Sequence, residues 1–434
     1  MHHMLTIPDL SIYHFYPMKK VLLILIPLLG LFACTNENMP SEPVTKAQTT
    51  PTFLSADDAI NLANLIAEDF DCESRSQTRK AVNASPLKMG TNSRNQTNID
   101  SLLYVVNYDN NAGYAIISRL PIQTPVLAVI DNGVFNLAEA QANPIVAQVL
   151  EYGLAVIPNK GDSLPSIIKP MPEGYTYSKH YPPLLEVEWG QDYPEGIFCP
   201  NKKSGCVQTA IAQIMSYFEY PTSINLTYPQ RDKTTQELNW KELKKHKKSI
   251  ALLNDESDEF SIGWHYQSCT ATEESHKALG RLCRELGHRN NAMYYQGGGT
   301  GATAEAVLQT LTNILTNRTV AAISTSYYNF LNYYNTYKAI AIMFGTDSSI
   351  GGHAWVCDGG HYYKAVRPYH INGDLEESYL HFNWGFCGDF NGYFLQGTFD
   401  PFKGVDETDL PKGDSFLPLS RTSFSENVKY ILIY

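Results

Sequence analysis

The sequence has no excess of positive charge, and this absence argues against a nucleic-acid-binding protein. Its 434 residues carry 33 lysines and arginines against 44 aspartates and glutamates, a formal net charge of -11. Binding to nucleic-acid phosphates needs clustered positive charge. The basic run KELKKHKK, at 241–248, is typical of a solvated helix face. We therefore expect no nucleic-acid partner.

The sequence also lacks paired CxxC motifs among its 8 cysteines, which argues against a structural zinc site. We predict no metal and no cofactor. The apolar stretch near the N-terminus, at 21–32, is too short to cross a bilayer. Two lysines precede this stretch and Cys34 closely follows it, an order that indicates a secretory signal peptide starting at Met18. Residues 1–34 thus combine an over-extended gene start with a signal peptide.

The end of this signal, LFAC, resembles the lipobox of bacterial lipoproteins, in which the cysteine is lipidated and becomes the first residue. The resemblance implies that Cys34 anchors an exported protein in a membrane of the cell envelope, or that the protein is secreted after processing. A plain signal peptide with a chance cysteine is the alternative. Residues 35–52 are rich in Thr, Pro, Asn and Glu, and we expect them to form a flexible tether.

Residues 53–160 predict a small α+β domain without an evident nucleophile. A Ser-x-x-Asp start and helical apolar spacing indicate a helix over 53–70. A polar gap and then three strand-like runs follow, at 101–109, 113–119 and 125–131. A second helix is predicted over 143–157. The next segment, 161–180, has the Pro, Gly and Ser content of a linker, and proteases cut exposed linkers.

Residues 181–434 form a larger block in which helices come first and strands later. The predicted helices cover 205–219, about 236–248, 273–286 and 302–315. The predicted strands cover 319–325, 338–345, 353–360, 361–367, 378–385, 392–396 and 428–434. This order predicts an α+β fold with two lobes.

Cys206 is the candidate nucleophile of this block. In SGCVQTAIAQIMSYFEYP, at 204–221, apolar residues recur with helical spacing from Val207 onwards. A thiol on the first turn of a helix lies near amide groups and the positive end of the dipole, which lower its pKa and favour the reactive thiolate. Gly205 permits a tight turn before it. Without a partner, such a cysteine is more often inert packing.

The best partner for the thiol is His353, in GGHAWVCDGG, because it follows two glycines and opens an apolar strand from which a ring can face a cleft. His361 and His381 are rivals. His361 lies just after a turn, and strand alternation would put His381 on the same face as Asn383.

Two further segments supply polar groups that acyl-transfer chemistry needs. In HFNWGFCGDFNGYF, at 381–394, the Asn383 amide can orient an imidazole, and the indole of Trp384 can shield that bond from water. A glycine-rich hairpin with an aromatic core residue is the alternative. Upstream of Cys206, Gln191 can donate a side-chain N–H to an oxyanion, with the Cys206 backbone N–H as the second donor.

Four segments together resemble the streptopain family of bacterial cysteine peptidases, which share a papain-like fold. They are WGQDYPEGIFCP, SGCVQTAIAQIMSYFEYP, GGHAW and HFNWGFCGDFNGYF. The resemblance implies a two-lobed papain-like catalytic domain, a helical lobe plus an antiparallel β lobe, over 181–434. The block at 53–160 resembles the family's inhibitory pro-domain, and 161–180 would be the processing linker.

By this resemblance Cys206 is the nucleophile and His353 is the general base and then the general acid. Gln191 falls on the oxyanion position, and Asn383 and Trp384 fall on the pair beside the histidine. The separation between Cys206 and His353 also falls within the roughly 130–150 residues of papain-like enzymes.

The same resemblance places Gly352 on a backbone contact to substrate and Thr300 near a substrate loop. The chain departs from the family pattern at three positions. Phe386 stands where the family usually has Trp, Cys387 stands where it has Gly, and Gln208 stands where it has Ala. These departures leave the dyad intact but affect the shape of the cleft.

The combined reading is an exported cysteine endopeptidase that forms an acyl-enzyme with protein or peptide substrates and is made as a zymogen, with its own pro-domain as intramolecular inhibitor. Two alternatives remain open from the sequence. One is a papain-fold amidase or transferase that acts on cell-wall peptides. The other is a catalytically degenerate surface binding lipoprotein.

Overall fold

The structure is a computed structural model that describes residues 54–71, 78–87, 103–119, 125–138, 145–146, 149–150, 177–230, 233–249, 270–295, 300–322, 329–347, 351–365, 375–396 and 426–434. The predicted signal peptide with Cys34, the tether and most of the linker at 161–180 lie outside these ranges. The chain divides into two units, residues 1–49 and 50–434, and the described residues all belong to the second. Within the described ranges, no helix is long and apolar enough to span a membrane.

Six α-helices have defined bounds in the described part of the chain. They are α1 (Ala56–Asp71), α2 (Cys206–Phe218), α3 (Trp240–Leu243), α4 (Glu273–Arg289), α5 (Ala304–Ile314) and α6 (Phe330–Tyr337). The described strands are β1 (Ala81–Pro86), β2 (Leu103–Tyr108), β3 (Tyr114–Ser118), β4 (Val126–Ile130), β5 (Tyr177–Tyr181), β6 (Ser223–Gln230), β7 (Lys233–Glu237), β8 (Met293–Tyr294), β9 (Thr300–Gly301), β10 (Ile340–Asp347), β11 (Gly351–Ala365), β12 (Leu375–Asn383), β13 (Gly392–Leu395) and β14 (Glu426–Ile433).

One 10-stranded antiparallel sheet runs through both predicted blocks. Its order is β1-β2-β3-β4-β13-β12-β11-β10-β14, and β5 pairs with β11 beside this path. The two blocks join where β4 pairs with β13, with Ile130 opposite Gly392 and Ala128 opposite Phe394. The first block therefore continues the sheet of the second block by backbone hydrogen bonds.

The first block forms as the sequence predicts over α1 and β2 to β4. Ser55 and Asp58 cap α1 reciprocally: the Asp58 N–H donates to the Ser55 hydroxyl, and the Ser55 N–H donates to the Asp58 carboxylate. Strand β1 was not predicted, because its sequence AVNASP has no buried face in an alternating pattern. The helical residues Ile145, Val146, Val149 and Leu150 of the second predicted helix are buried.

Two predictions for the second block need correction. The helix predicted over about 236–248 is much shorter in the structure: β7 extends to Glu237, and helix α3 covers only Trp240–Leu243, after Asn239, whose side chain accepts the Glu242 N–H. The strands predicted at 353–360 and 361–367 are one continuous strand, β11. The end of the predicted linker also has regular structure, because β5 pairs with β11 through Lys179 and Tyr362.

Strand alternation divides the core into two clusters on opposite faces of the sheet. Along β11, Trp355 and Cys357 face the cluster that contains α1 and the first block. Ala354 and Val356 face the cluster that contains α2, α4 and α5. Strand β11 thus lies between the helical lobe and the first block, and it carries His353 where these two layers meet.

Candidate active site

Cys206 is the first residue of α2, as the sequence predicts. Gly205 has φ 92°, a region that favours glycine, and a Cβ there would lie 2.6 Å from the Cβ of Thr300. Helix α2 is buried along nearly its whole length, and Cys206 is 9% exposed. The turn at Gly205 therefore fixes the sulfur at a rigid helix start with little contact with solvent.

Burial raises the pKa of the Cys206 thiol above its ordinary value, and it outweighs the opposing effect of three backbone N–H groups. These groups belong to Ala354, Val207 and Cys206 itself. The helix start thus supplies donors as predicted. The expectation of a lowered pKa is nevertheless wrong for this state, because desolvation destabilises the thiolate more than these N–H groups stabilise it.

His353 lies near the start of β11, opposite Gly345 of β10. Its ring stacks on Phe386 at a centroid distance of 4.7 Å, and its Nε2 lies 2.9 Å from the carbonyl oxygen of Trp384. Because a carbonyl oxygen only accepts, Nε2 carries the proton in this arrangement. Burial lowers the pKa of His353 to about 4, so the ring is neutral at pH 7.

Asn383 has a different set of partners from the one predicted. Its side-chain oxygen accepts from Gln213 Nε2 at 3.0 Å and from the Gly385 N–H at 3.1 Å. Its side-chain nitrogen donates to the Val187 carbonyl. Among the described residues, the Asn383 amide makes no hydrogen bond to His353, because β12 directs it towards α2. The carbonyl of Trp384 receives the imidazole N–H instead.

The segment that carries Gln191 is held directly against the residues before Cys206. The Gln191 carbonyl accepts from the Ser204 N–H at 2.8 Å and from the Ser204 hydroxyl at 3.1 Å. The hydroxyl of Thr209, on the first turn of α2, donates to the Gly190 carbonyl at 2.8 Å. These bonds bring Gln191 to the helix start, where its side chain is half-buried.

The two residues assigned to substrate contacts lie in different surroundings. Thr300 packs against Gly205, and its hydroxyl accepts from Asn201 Nδ2 at 3.2 Å. Gly352 is exposed and lies opposite Thr346 on β10. Thr300 therefore contacts Gly205, the residue before Cys206. Gly352 is exposed and directly precedes the buried His353 in the chain.

The rival histidines have structural partners. His361 is buried, contacts the Ser178 hydroxyl at 2.7 Å, and has its pKa lowered to about 3, chiefly by burial. His381 lies between two carboxylates, with Nδ1 2.6 Å from Asp358 and Nε2 2.9 Å from Asp131. Although burial opposes the charge, these carboxylates raise the pKa of His381 to about 10.

The His381 bridge joins the two blocks and was missed from the sequence. Asp131 follows β4 in the first block, and its second oxygen lies 3.2 Å from Arg79, which also pairs with Asp71. The one sequence feature that could have indicated a role for Asp131 is its position as a charged residue at the end of an apolar strand. In the described part of the chain, no cluster of His, Cys, Asp or Glu could hold a metal ion.

A thiol on the first turn of a buried helix, a histidine on the adjoining antiparallel strand and a two-lobed α+β fold define a papain-like thiol hydrolase. A sequence model of the peptidase C10 family matches residues 189–394, and one described as Spi protease inhibitor matches residues 41–152. The chain belongs to the peptidase C10 (streptopain) family. It is a cysteine-type peptidase made as a zymogen with an inhibitor-type pro-domain.

Two solved structures are similar to this chain. One is a prointerpain A fragment from Prevotella intermedia, 20% identical, with a TM-score of 0.45 and coverage of 80% of this chain and 98% of that chain. The other is active interpain A cysteine protease of the same organism, 21% identical, with a TM-score of 0.36 and coverage of 61% of this chain and 98% of that chain. No curated protein matches the chain.

Proposed function

We propose that this protein is an endopeptidase that cleaves protein or peptide substrates with Cys206 as nucleophile and His353 as general base. One observation carries the assignment: Ala354 of β11 lies in the same core cluster as Cys206, and its backbone N–H acts on the thiol to lower its pKa against the effect of burial. Helix α2 and strand β11 therefore meet at the thiol, and His353 is the residue next to that donor.

The chemistry follows from the tautomer of His353. Its Nε2 proton is held by the Trp384 carbonyl, so Nδ1 is the nitrogen that accepts the thiol proton. The thiolate attacks the scissile carbonyl, and the oxyanion is stabilised by the Cys206 N–H and by the side-chain amide of Gln191. Protonated His353 then protonates the leaving amine. Water, activated by the same ring, hydrolyses the thioester and restores the thiol.

We test this assignment with Cys206→Ala and its matched control Cys283→Ala. Cys283 is a buried thiol on α4. We expect the matured wild type and the Cys283 variant to cleave casein, and the Cys206 variant to be inactive while it remains folded by circular dichroism. An epoxide-type thiol inhibitor should label Cys206 selectively. Activity that survives in Cys206→Ala, or labelling spread evenly over the cysteines, contradicts the mechanism.

The regulation and location that we propose extend this function. The pro-domain at 53–160 inhibits the enzyme until the linker at 161–180 is cut. Support for latency comes from the β4–β13 pairing and from the neutral state of the buried thiol and imidazole. The protein is exported and is either held in the cell envelope by lipidated Cys34 or secreted after processing.

A further inference from the structure

Behind the Gln191 segment lies a buried polar cluster, made of Glu195, His246 and Ser249. The Ser249 hydroxyl donates to a Glu195 carboxylate oxygen at 2.5 Å, and His246 Nε2 lies 3.4 Å from the same hydroxyl. Ser249 is 5% exposed and Glu195 is 0% exposed. A serine, a histidine and a carboxylate in contact suggest a second nucleophile, but this burial leaves no access for a substrate.

The cluster acts instead on the backbone of Gly190. The Gly190 N–H donates to the Ser249 hydroxyl at 2.8 Å, while that hydroxyl donates its own proton to Glu195. The carboxylate thus orients the hydroxyl so that its lone pair faces the Gly190 amide. His246 is tied to the same segment, because its carbonyl accepts from Trp189 Nε1 at 2.6 Å.

Three consecutive peptide units are held around Gln191. The first unit joins Trp189 to Gly190. Its carbonyl accepts from Gln213 Nε2 at 3.2 Å, and its N–H donates to Ser249. Thr209 holds the next unit through the Gly190 carbonyl, and Ser204 holds the third through the Gln191 carbonyl. Of these anchors, Thr209 and Gln213 belong to α2 and Ser204 directly precedes it, whereas Ser249 comes from a separate segment.

Gly190 itself has no room for a side chain. A Cβ on Gly190 would lie 2.4 Å from the Cys387 sulfur and 3.4 Å from the Ser249 Cβ. A glutamine side chain has several rotatable bonds, so its direction depends on the backbone that carries it. An oxyanion donor must lie about 2.7–3.1 Å from the developing charge, and a misplacement of about 1 Å can cost ~10²-fold in rate.

We propose that Ser249, oriented by Glu195, is a positioning residue that fixes the Gly190 amide and so aims the Gln191 side chain at the oxyanion. This role rests on the proposed function, because it needs Gln191 to stabilise a tetrahedral intermediate. Neither Ser249 nor Glu195 touches the substrate. Their effect is confined to the step in which the oxyanion forms.

The test compares Ser249→Ala in two backgrounds after maturation. In the wild-type background we expect kcat for a small peptide to fall about 10-fold with KM unchanged, since only the transition state is affected. In the Gln191→Ala background the same change should cause no further fall. Ser275→Ala removes a buried hydroxyl that donates to the Thr272 carbonyl at the start of α4, and it should leave kcat unchanged. Equal losses in both backgrounds, or no loss in either, overturn the proposal.

A second readout does not depend on turnover. In the Cys206→Ala protein, we expect Ser249→Ala to speed amide hydrogen exchange in a peptic fragment spanning 186–193, with the thermal midpoint within a few degrees. Glu195→Gln, which keeps an oxygen for the hydroxyl, should change exchange less. Unchanged exchange in the Ser249 variant overturns the positioning role. A matured wild type that cleaves no peptide contradicts the proposed function instead.

Discussion

Cys206 and His353 are each buried in a water-poor environment that keeps its side chain uncharged. Burial raises the pKa of the thiol and lowers that of the imidazole to about 4. A thiolate–imidazolium pair therefore forms only when the site becomes better solvated. The full-length protein therefore holds the proposed nucleophile as the neutral, unreactive thiol.

This state predicts a difference in thiol reactivity between the two forms of the protein. In the full-length chain we expect iodoacetamide to modify Cys206 slowly at pH 7 and faster only as the pH rises above the ordinary thiol range, because the raised pKa delays thiolate formation. The matured enzyme should react readily at pH 7. Mass spectrometry of the α2 peptide measures both rates. Equal rates at pH 7 would contradict the inference.

Substitutions of the proposed catalytic groups should differ in severity. His353→Ala should lose activity comparably to Cys206→Ala, since the two residues act as a unit and their effects are not additive. Gln191→Ala removes one of two oxyanion donors, which costs on the order of 10²–10³ in kcat. Single-turnover assays on the matured variants measure these losses. A Gln191 variant as inactive as the Cys206 variant would mean that Gln191 does more than donate one hydrogen bond.

Among individual residues, the sequence allowed prediction of those whose proposed role is indicated by their neighbours in the chain. Cys206 was found because a glycine and a helical apolar pattern surround it. Ser249 and Phe386 have no such local signal, since their contacts with Gly190 and His353 come from distant segments. The partners of Asn383 could not be read either, because the direction of its side chain depends on how β12 packs against α2.

The junction of β4 and β13 is the element that joins the pro-domain to the catalytic sheet. Beside the backbone pairs, Asp131 contributes its N–H to the Asn391 carbonyl and its carboxylate to His381 and Arg79. Asn391 in turn accepts the Trp384 N–H through its side chain. The backbone N–H of Asp131, in the pro-domain, is thus linked to the His353 ring through three successive hydrogen bonds.

We expect Asp131→Asn to weaken the hold of the pro-domain. In the wild type, two carboxylates raise the pKa of His381 to about 10. The substitution leaves Asp358 as the carboxylate beside this buried charge, and the loss of one partner of a buried charge is strongly destabilising. Full-length Asp131→Asn should therefore mature faster than wild type, as measured on denaturing gels over time. Asp57→Asn, an exposed carboxylate on α1, is the matched control and should mature at the wild-type rate. Slower or unchanged maturation of Asp131→Asn would refute this role.

The secondary-structure elements were predictable where a period was clear. Strands β2 to β4 and β10 to β14 have buried faces with apolar runs, and α2, α4 and α5 follow the helical period. The segment at 236–248 misled the prediction because its lysines and leucines favour a helix locally. In the fold, its first residues pair with β6 instead, so tertiary hydrogen bonding overrides propensity.

At the scale of the whole molecule, the shared sheet limits where maturation can occur. Residues 177–181 pair with β11, and Lys179 Nζ bonds Asn335 on α6. Cleavage at Lys179 would require this edge of the sheet to open. We therefore expect the mature N-terminus to lie before Tyr177, which N-terminal sequencing of the matured enzyme can check. An N-terminus after Lys179 would show that β5 is released first.

The buried histidines make the full-length protein sensitive to acid. His353 and His361 have pKa values lowered to about 4 and about 3. The unfolded chain takes up protons near pH 6.5, before the folded chain does, so stability falls as the pH drops from 6.5 towards 4. The loss should be on the order of 1 kcal/mol per histidine between pH 6.5 and 5. Urea unfolding of wild type and His361→Gln measures it, and an identical pH dependence in both would contradict the cause.

The contribution of His381 to stability depends on pH in the opposite direction. Its pKa is raised to about 10, so its contribution to stability is complete below the unfolded value near 6.5 and is lost as the pH rises through about 10. Because the contributions of His353 and His361 fall below pH 6.5 and that of His381 falls above it, these histidines together favour greatest stability near pH 6.5.

The N-terminal signal predicts where the molecule resides. The lysines, the apolar stretch and Cys34 follow one another as in a lipoprotein signal. We expect wild type in the membrane fraction and Cys34→Ser in the soluble fraction of expressing bacteria. Cys206→Ala, which keeps Cys34, is the control and should remain with the membranes. Membrane association of Cys34→Ser would place the anchor elsewhere.

The last prediction concerns latency. A pro-domain that supplies strands to the catalytic sheet has a high effective concentration while the chain is intact, and cleavage of the linker removes that advantage. The full-length Cys206→Ala protein should persist uncut, whereas wild type should shorten from its N-terminal side. Rates on a small peptide, measured for full-length and matured wild type, should differ greatly in favour of the matured form. Equal rates would mean that the first block assists folding and does not inhibit.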